Sequence, residues 1–177
     1  GSTTFYRCVV TCTNSGLSSV TPANQIGTTC LQYTISRNTG ITYTPVSGAA
    51  TTLNPAAANT DDTNYGPFTF FPFNYGGSTV TQFRVSTNGF MTLNSSNTNS
   101  AFNNGLTNST GNNLVLAPFW EDLYLGNRLS PNSQWLKYEI TGTTPNRVLT
   151  VQWENVELFN YPGPSLNFQV KLYEADS

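Results

Sequence analysis

The 177-residue sequence contains no histidine. Without it neither a Ser-His-Asp nor a Cys-His nucleophilic system can be assembled, and the commonest metal ligand is missing as well. Charge is almost as scarce, at 9% of residues, against roughly 25% in ordinary globular proteins. The 7 basic residues are scattered singly and the net charge is −2. No electropositive stripe exists to neutralise a phosphate backbone, so nucleic acid is not an expected partner. No apolar run approaches the roughly 20 residues that span a bilayer, and the N-terminus lacks the charged and apolar regions of a signal peptide. Membrane insertion is not expected.

Cysteine is sparse and odd in number: Cys8, Cys12 and Cys30 lack the paired spacing of a zinc site. In an oxidising compartment one disulfide and one leftover thiol are expected, with Cys12 to Cys30 preferred because Cys8 looks like a residue whose partner is missing; an intersubunit tether through Cys30 is the alternative. The 9 acidic residues formally permit the facing carboxyl pair of a glycosidase. Glu121 and Asp122, however, are neighbours that a strand would point to opposite faces, and Glu154 with Glu157 follows an ordinary outward pattern. No catalytic residue is assigned, and enzyme activity is not expected.

What is abundant is Thr, Ser and Asn on the polar side and aromatics, at 13%, on the apolar side. These suit turns and strands better than helices. Leu149, Val151 and Trp153 alternate with polar residues in LTVQWE; Phe168, Val170 and Leu172 do so in NFQVKLYE, and Leu136, Tyr138 and Ile140 in WLKYEI. Further strand candidates are FYRCVVTC, CLQYTIS, ITYTPV, FTFFPF, TQFRVST, FMTLN and LVLAPFW. Asn88-Gly89 predicts a hairpin whose two central residues adopt positive φ, and hairpin turns are also expected at Asn14 to Gly16 and at Gly142 to Asn146. Pro45, Pro67 and Pro72 assign their strands to sheet edges or bulges, because proline cannot donate to a ladder. Asn94 to Asn113 reads as a long polar loop that Phe102 pins to the body. The sum is an all-β, antiparallel β-sandwich.

Two acidic pairs sit in loops, Asp61-Asp62 before a strand and Glu121-Asp122 after Phe119-Trp120. Such oxygen-rich loops can hold a structural calcium ion. The plainer alternative has Asp62 capping a turn and Asp122 accepting backbone hydrogen bonds. No other cofactor is expected. Alternation puts Phe68 and Phe70 opposite Phe71 and Phe73, leaving one pair free to leave the core, so Phe71, Phe73 and Trp120 are candidate partner contacts alongside core packing. Tyr161, in a Pro-Gly-Pro setting, is the best single candidate for an exposed ring that stacks on a glycan or anchors a partner. The glycosylation patterns at Asn94 and Asn108 are those expected by chance in so Asn- and Ser-rich a chain.

The stretch TTFYRCVVTCTNSG, with Tyr6 two residues before Cys8, resembles the penultimate strand of an immunoglobulin-like domain. From Ile41 onward the ordered set ITYTPVSG, Asp61-Asp62, PFTFFPFNYGG, VSTNGFMTL, LAPFWEDL, RVLTVQWENVE and NFQVKLYEAD resembles a β-sandwich module of large secreted proteins of the Bacteroidota, loosely similar to the nidogen-type extracellular domain. The resemblance implies three segments: 1–25 as the terminal hairpin of an immunoglobulin-like domain or an exchangeable strand segment, 26–40 as linker, and 41–177 as the sandwich. It also implies a further strand after LYE, so the sandwich is expected to lack or borrow a terminal strand. By this reading the chain is a non-enzymatic structural or adhesion module of a secreted or cell-surface bacterial protein. Its partners would be neighbouring domains or subunits of the same protein, or glycans. The alternatives are a self-assembling surface-fibre subunit joined by strand complementation and a carbohydrate-binding module of a secreted enzyme.

Overall fold

The computed structural model describes residues 9–11, 18–20, 36–54, 60–75, 77–102, 114–126 and 134–176, with the backbone alone described for 9–11, 18–20 and 162–164. The chain divides into two compact units, Gly1–Arg37 and Asn38–Ser177. In the first, β1 (Val9–Thr11) and β2 (Ser18–Val20) form an antiparallel ribbon with Val9 opposite Val20. The cysteines, their pairing, the turn at Asn14 to Gly16 and most of CLQYTIS lie outside the described residues.

The second unit is built of β3 (Thr51–Thr52), β4 (Asn64–Tyr75), β5 (Ser78–Ser86), β6 (Phe90–Thr92), β7 (Val115–Leu116), β8 (Leu123–Tyr124), β9 (Trp135–Thr141), β10 (Val148–Leu158) and β11 (Tyr161–Tyr173). One sheet runs β11-β10-β9-β3, with β8 also pairing with β10; the other runs β4-β5-β6-β7. All pairings are antiparallel. Among the described residues the helical content is one 3-10 turn, Glu174–Asp176. The two inner faces meet in one core holding Phe83, Val85 and Met91 from one sheet and Leu136, Leu149, Val151 and Trp153 from the other. Phe68 and Phe83 contact Tyr138 across the gap, at 5.1 and 5.2 Å between centroids. The Trp153 indole is fully buried, stacks on Phe168 and donates to the Ser86 carbonyl at 3.0 Å, joining the sheets by a bond as well as by packing. The fold is the antiparallel β-sandwich that alternation in β9, β10 and β11 predicts.

The prolines fall where a missing donor does least harm. Pro67 and Pro72 lie in β4, the edge of its sheet, at two breaks in register: between Tyr65 and Phe68, and between Thr69 and Phe73. At the second break four positions of β4 span the interval from Gln82 to Val80 of β5, and the alternation shifts phase. Phe70 and Phe71, adjacent in sequence, are therefore both buried, as is Phe73. The expectation that Phe71 and Phe73 offer rings to a partner is corrected: they are core residues.

Two other sequence expectations change. ITYTPV forms no strand. Instead residues 43–47 cross the outer face of the five-stranded sheet and bond to its side chains. The Val46 amide donates to Gln152 Oε1 at 2.9 Å, Gln169 Nε2 donates to the Thr44 carbonyl at 2.9 Å, and the Ser47 hydroxyl donates to Glu139 at 2.6 Å. This strap explains why Gln152 and Thr150, which point away from the core, are buried. The Thr87-Asn88-Gly89 hairpin forms as expected between β5 and β6, but Gly89 alone takes a positive φ, +75°. The loop spans three residues rather than two, with the left-handed residue last, and Asn88 contributes through its side chain instead.

Candidate functional site

Four connections gather at one end of the sandwich: Asp61-Asp62 before β4, Asn88-Gly89 between β5 and β6, Phe119 to Asp122 before β8, and the turn Phe159-Asn160 between β10 and β11. Asn88, fully buried, ties them together. Its Nδ2 donates to Asp62 Oδ1 at 2.6 Å and to the Ser100 carbonyl at 2.7 Å, and its Oδ1 accepts from the Leu123 amide at 2.9 Å. The Phe119 amide donates to the Gly89 carbonyl at 3.4 Å and the Phe159 amide to the Asp122 carbonyl at 2.9 Å. Gly89 is needed here because a methyl group would run into the Phe119 carbonyl.

This network brings Asp61, Asp62 and Asp122 together, with carboxylate oxygens of all three within 4.8 Å of one another. The positive φ of Asp62, 45°, turns the chain there. Burial first, and then the charges of Asp62 and Glu121, push the Asp122 carboxyl above the usual carboxylate range. Three like charges this close repel one another unless protons or a cation neutralise them, and clustered hard oxygen donors suit a calcium ion. Glu121 stands outside the cluster and accepts from the Asp122 amide. Of the four acidic residues singled out in the sequence, the fold converges three.

The aromatic candidates separate sharply. Trp120 is buried against Phe90 at 4.5 Å and donates from Nε1 to the Ala101 carbonyl at 2.9 Å, so its ring is structural rather than exposed. This bond, with those from Asn88 to Ser100 and from Asn64 to the Asn99 carbonyl, holds residues 99–101 down; Phe102 is 41% exposed and is not the anchor. Tyr161 is 76% exposed. It opens β11, with Leu158 across from it, rather than sitting in a loop. Phe119, which the sequence did not single out for exposure, is 41% exposed and touches Phe168 at 5.8 Å.

Glu157, expected to point outward, is fully buried, and among the described residues neither carboxylate oxygen has a hydrogen-bond partner. The bulge at Asn155, φ 55°, shifts the alternation of β10 just before it. Tyr124, not a second acid, lies opposite it in the ladder. A shallow depression beside β9 is lined by Ser47, Ala49, Thr51 and Tyr138 to Thr141; its one carboxylate, Glu139, already accepts from the Ser47 amide and hydroxyl.

A family model described as NIDO related matches residues 32–177. Neither the curated proteins nor the solved structures contain a match to the chain. Among the described residues no helix is long and apolar enough to cross a membrane.

Proposed function

The chain belongs to the NIDO-related family, and from that premise we propose that it is a non-enzymatic structural and adhesion module of a bacterial surface protein, working outside the cell. The reading rests on family membership over most of the chain, joined to a rigid two-sheet body whose tied loop end exposes Tyr161 and Phe119. A surface rich in Thr, Ser and Asn, with few charges, fits extracellular display. Binding would run through the loop end to a neighbouring domain, a subunit of the same protein or a glycan, with Asp61, Asp62 and Asp122 seating a structural calcium ion that stiffens it. Cells carrying the parent protein without residues 38–177 should keep it at the surface and lose adhesion. Undiminished adhesion refutes the adhesive role. A glycan array with the purified chain separates out the carbohydrate-binding alternative, which requires selective binding abolished by Y161A.

One observation favours a second reading, the fibre subunit. β11 is 13 residues long and only one of its edges is paired among the described residues, so a strand from another copy could extend the sheet there. Electron microscopy of the native material tests it: separate, unjoined molecules exclude a fibre.

A further inference from the structure

On the outer face of the five-stranded sheet, Lys137 of β9 lies directly opposite Gln152 of β10 in the ladder. Two residues further along β10, Glu154 serves both. Its Oε2 accepts from Lys137 Nζ at 2.8 Å and from Gln152 Nε2 at 3.1 Å. The Gln152 carbonyl oxygen is held from its other side by two donors, the Val46 amide at 2.9 Å and Gln169 Nε2 at 2.7 Å. Gln152 is fully buried beneath residues 43–47. The Lys137 ammonium is also kept close by the Trp135 ring, 5.4 Å from its centroid.

An ordinary surface ion pair needs none of this. The set instead contains every part of an intramolecular aminolysis: an amine, a side-chain amide beside it, a carboxylate bonded to both nitrogens, and two donors on the oxygen where negative charge would build up. We propose that Lys137 and Gln152 join autocatalytically in an amide cross-link, with Glu154 carrying the protons. Glu154 takes a proton from the Lys137 ammonium, and the free Nζ attacks Cδ of Gln152. The resulting oxyanion is held by the Val46 amide and the Gln169 amide group. Glu154 then passes its proton to Nε2 as the Cδ–Nε2 bond breaks, and the attacking nitrogen gives up its second proton. One C–N bond forms and one breaks. Nitrogen leaves as ammonia and takes the surplus proton as ammonium, while Glu154 returns to the carboxylate, with no oxidant or other reactant consumed.

The chemistry is slow between free molecules because primary amides are poor electrophiles. Pairing across the ladder and the shared bonds to Glu154 keep the amine and the amide as neighbours, and intramolecular groups that reach alignment react with effective concentrations on the order of 10⁵ M or more. Burial of Gln152 shields its carbonyl from competing water, while the Lys137 and Glu154 side chains, 23% and 25% exposed, leave a route for ammonia to depart. The product would tie β9 to β10 covalently beneath the strap.

Intact mass spectrometry of the purified, folded chain tests the proposal. The expected mass is about 17 Da below that of the sequence, one ammonia lost, and a digest should yield a branched peptide joining Lys137 to Gln152. K137R keeps a cation beside Glu154 but lacks the amine nucleophile, and should show the full sequence mass. E154Q should do the same while retaining the fold by circular dichroism. A wild-type mass equal to the sequence mass after prolonged incubation overturns the proposal. So does a loss that persists in K137R, which would place the chemistry elsewhere, for instance at Asn88-Gly89.

Discussion

Replacing Asn88 by alanine probes the node that holds the loop end together. The change removes three hydrogen bonds and leaves the Leu123 amide and the Ser100 carbonyl without their partner, in a region where Asn88 itself is fully buried. A stranded buried donor or acceptor costs about 1–3 kcal/mol, and a bond to a charged group such as the Asp62 carboxylate contributes about 1.5–3 kcal/mol. Asp62 is exposed and Ser100 half-buried, so water relieves two of the three losses and the full cost falls on the Leu123 amide, giving an expected loss of roughly 3 kcal/mol, or a fall in Tm of roughly 9 °C for a unit of this size. Urea unfolding followed by the fluorescence of Trp120, Trp135 and Trp153 measures it, since all three tryptophans lie in this unit. N88D sharpens the test. It keeps an acceptor for Leu123 but sets a second carboxylate against Asp62, so its stability at neutral pH should be no better than that of N88A and should partly recover in acid. A loss below about 1 kcal/mol in N88A would refute the idea that this side chain organises the loops.

Three further outcomes follow from the same geometry. G89A should lose at least about 2 kcal/mol in the same assay, from a left-handed backbone combined with a collision at the Phe119 carbonyl. The Arg147 guanidinium, bonded to both Glu174 oxygens at 2.8 and 2.6 Å, holds that carboxyl below its usual range. Its stabilisation is present above the ordinary carboxylate pKa and lost as pH falls through the lowered folded value, so E174Q should flatten the acid limb of a stability-against-pH curve. Asp122 has the opposite sign: its folded pKa is raised, so its favourable contribution belongs to low pH and disappears as pH rises through that value. In chelator at neutral pH, D122N should therefore melt above the wild type. Added calcium chloride should raise the wild-type Tm and leave D122N unmoved, and equal responses would remove Asp122 from any cation site.

Legibility followed the range of the interaction. Leu149, Val151 and Trp153 announced the inner face of β10 because period-two alternation needs only neighbours on one strand. Pro67 and Pro72 announced an edge because each lacks a donor wherever it sits. The burial of both Phe70 and Phe71 was hidden, since it depends on how β4 slips against β5, and the burial of Glu157 was hidden behind the bulge at Asn155 for the same reason. ITYTPV has strand composition, but its backbone groups are satisfied by Gln152 and Gln169, whose positions more than a hundred residues away no local pattern reveals. The convergence of Asp122 on Asp61 and Asp62 was legible as two acidic loops and not as one cluster, because Asn88 makes the join.

The proline breaks in β4 also bear on symmetry. Among the described strands two long ones lie at sheet edges: β4 is interrupted twice and cannot present an unbroken row of donors and acceptors, whereas β11 from Ser165 to Tyr173 is free of proline. A copy joining through β11 would meet its most compatible surface on the β11 of another copy, related by a two-fold axis. Such an isologous contact uses the same edge on both partners and closes at a pair. Growth into a filament would demand a second, different surface at each step, and the loop end with its exposed Tyr161 is the place to look for it.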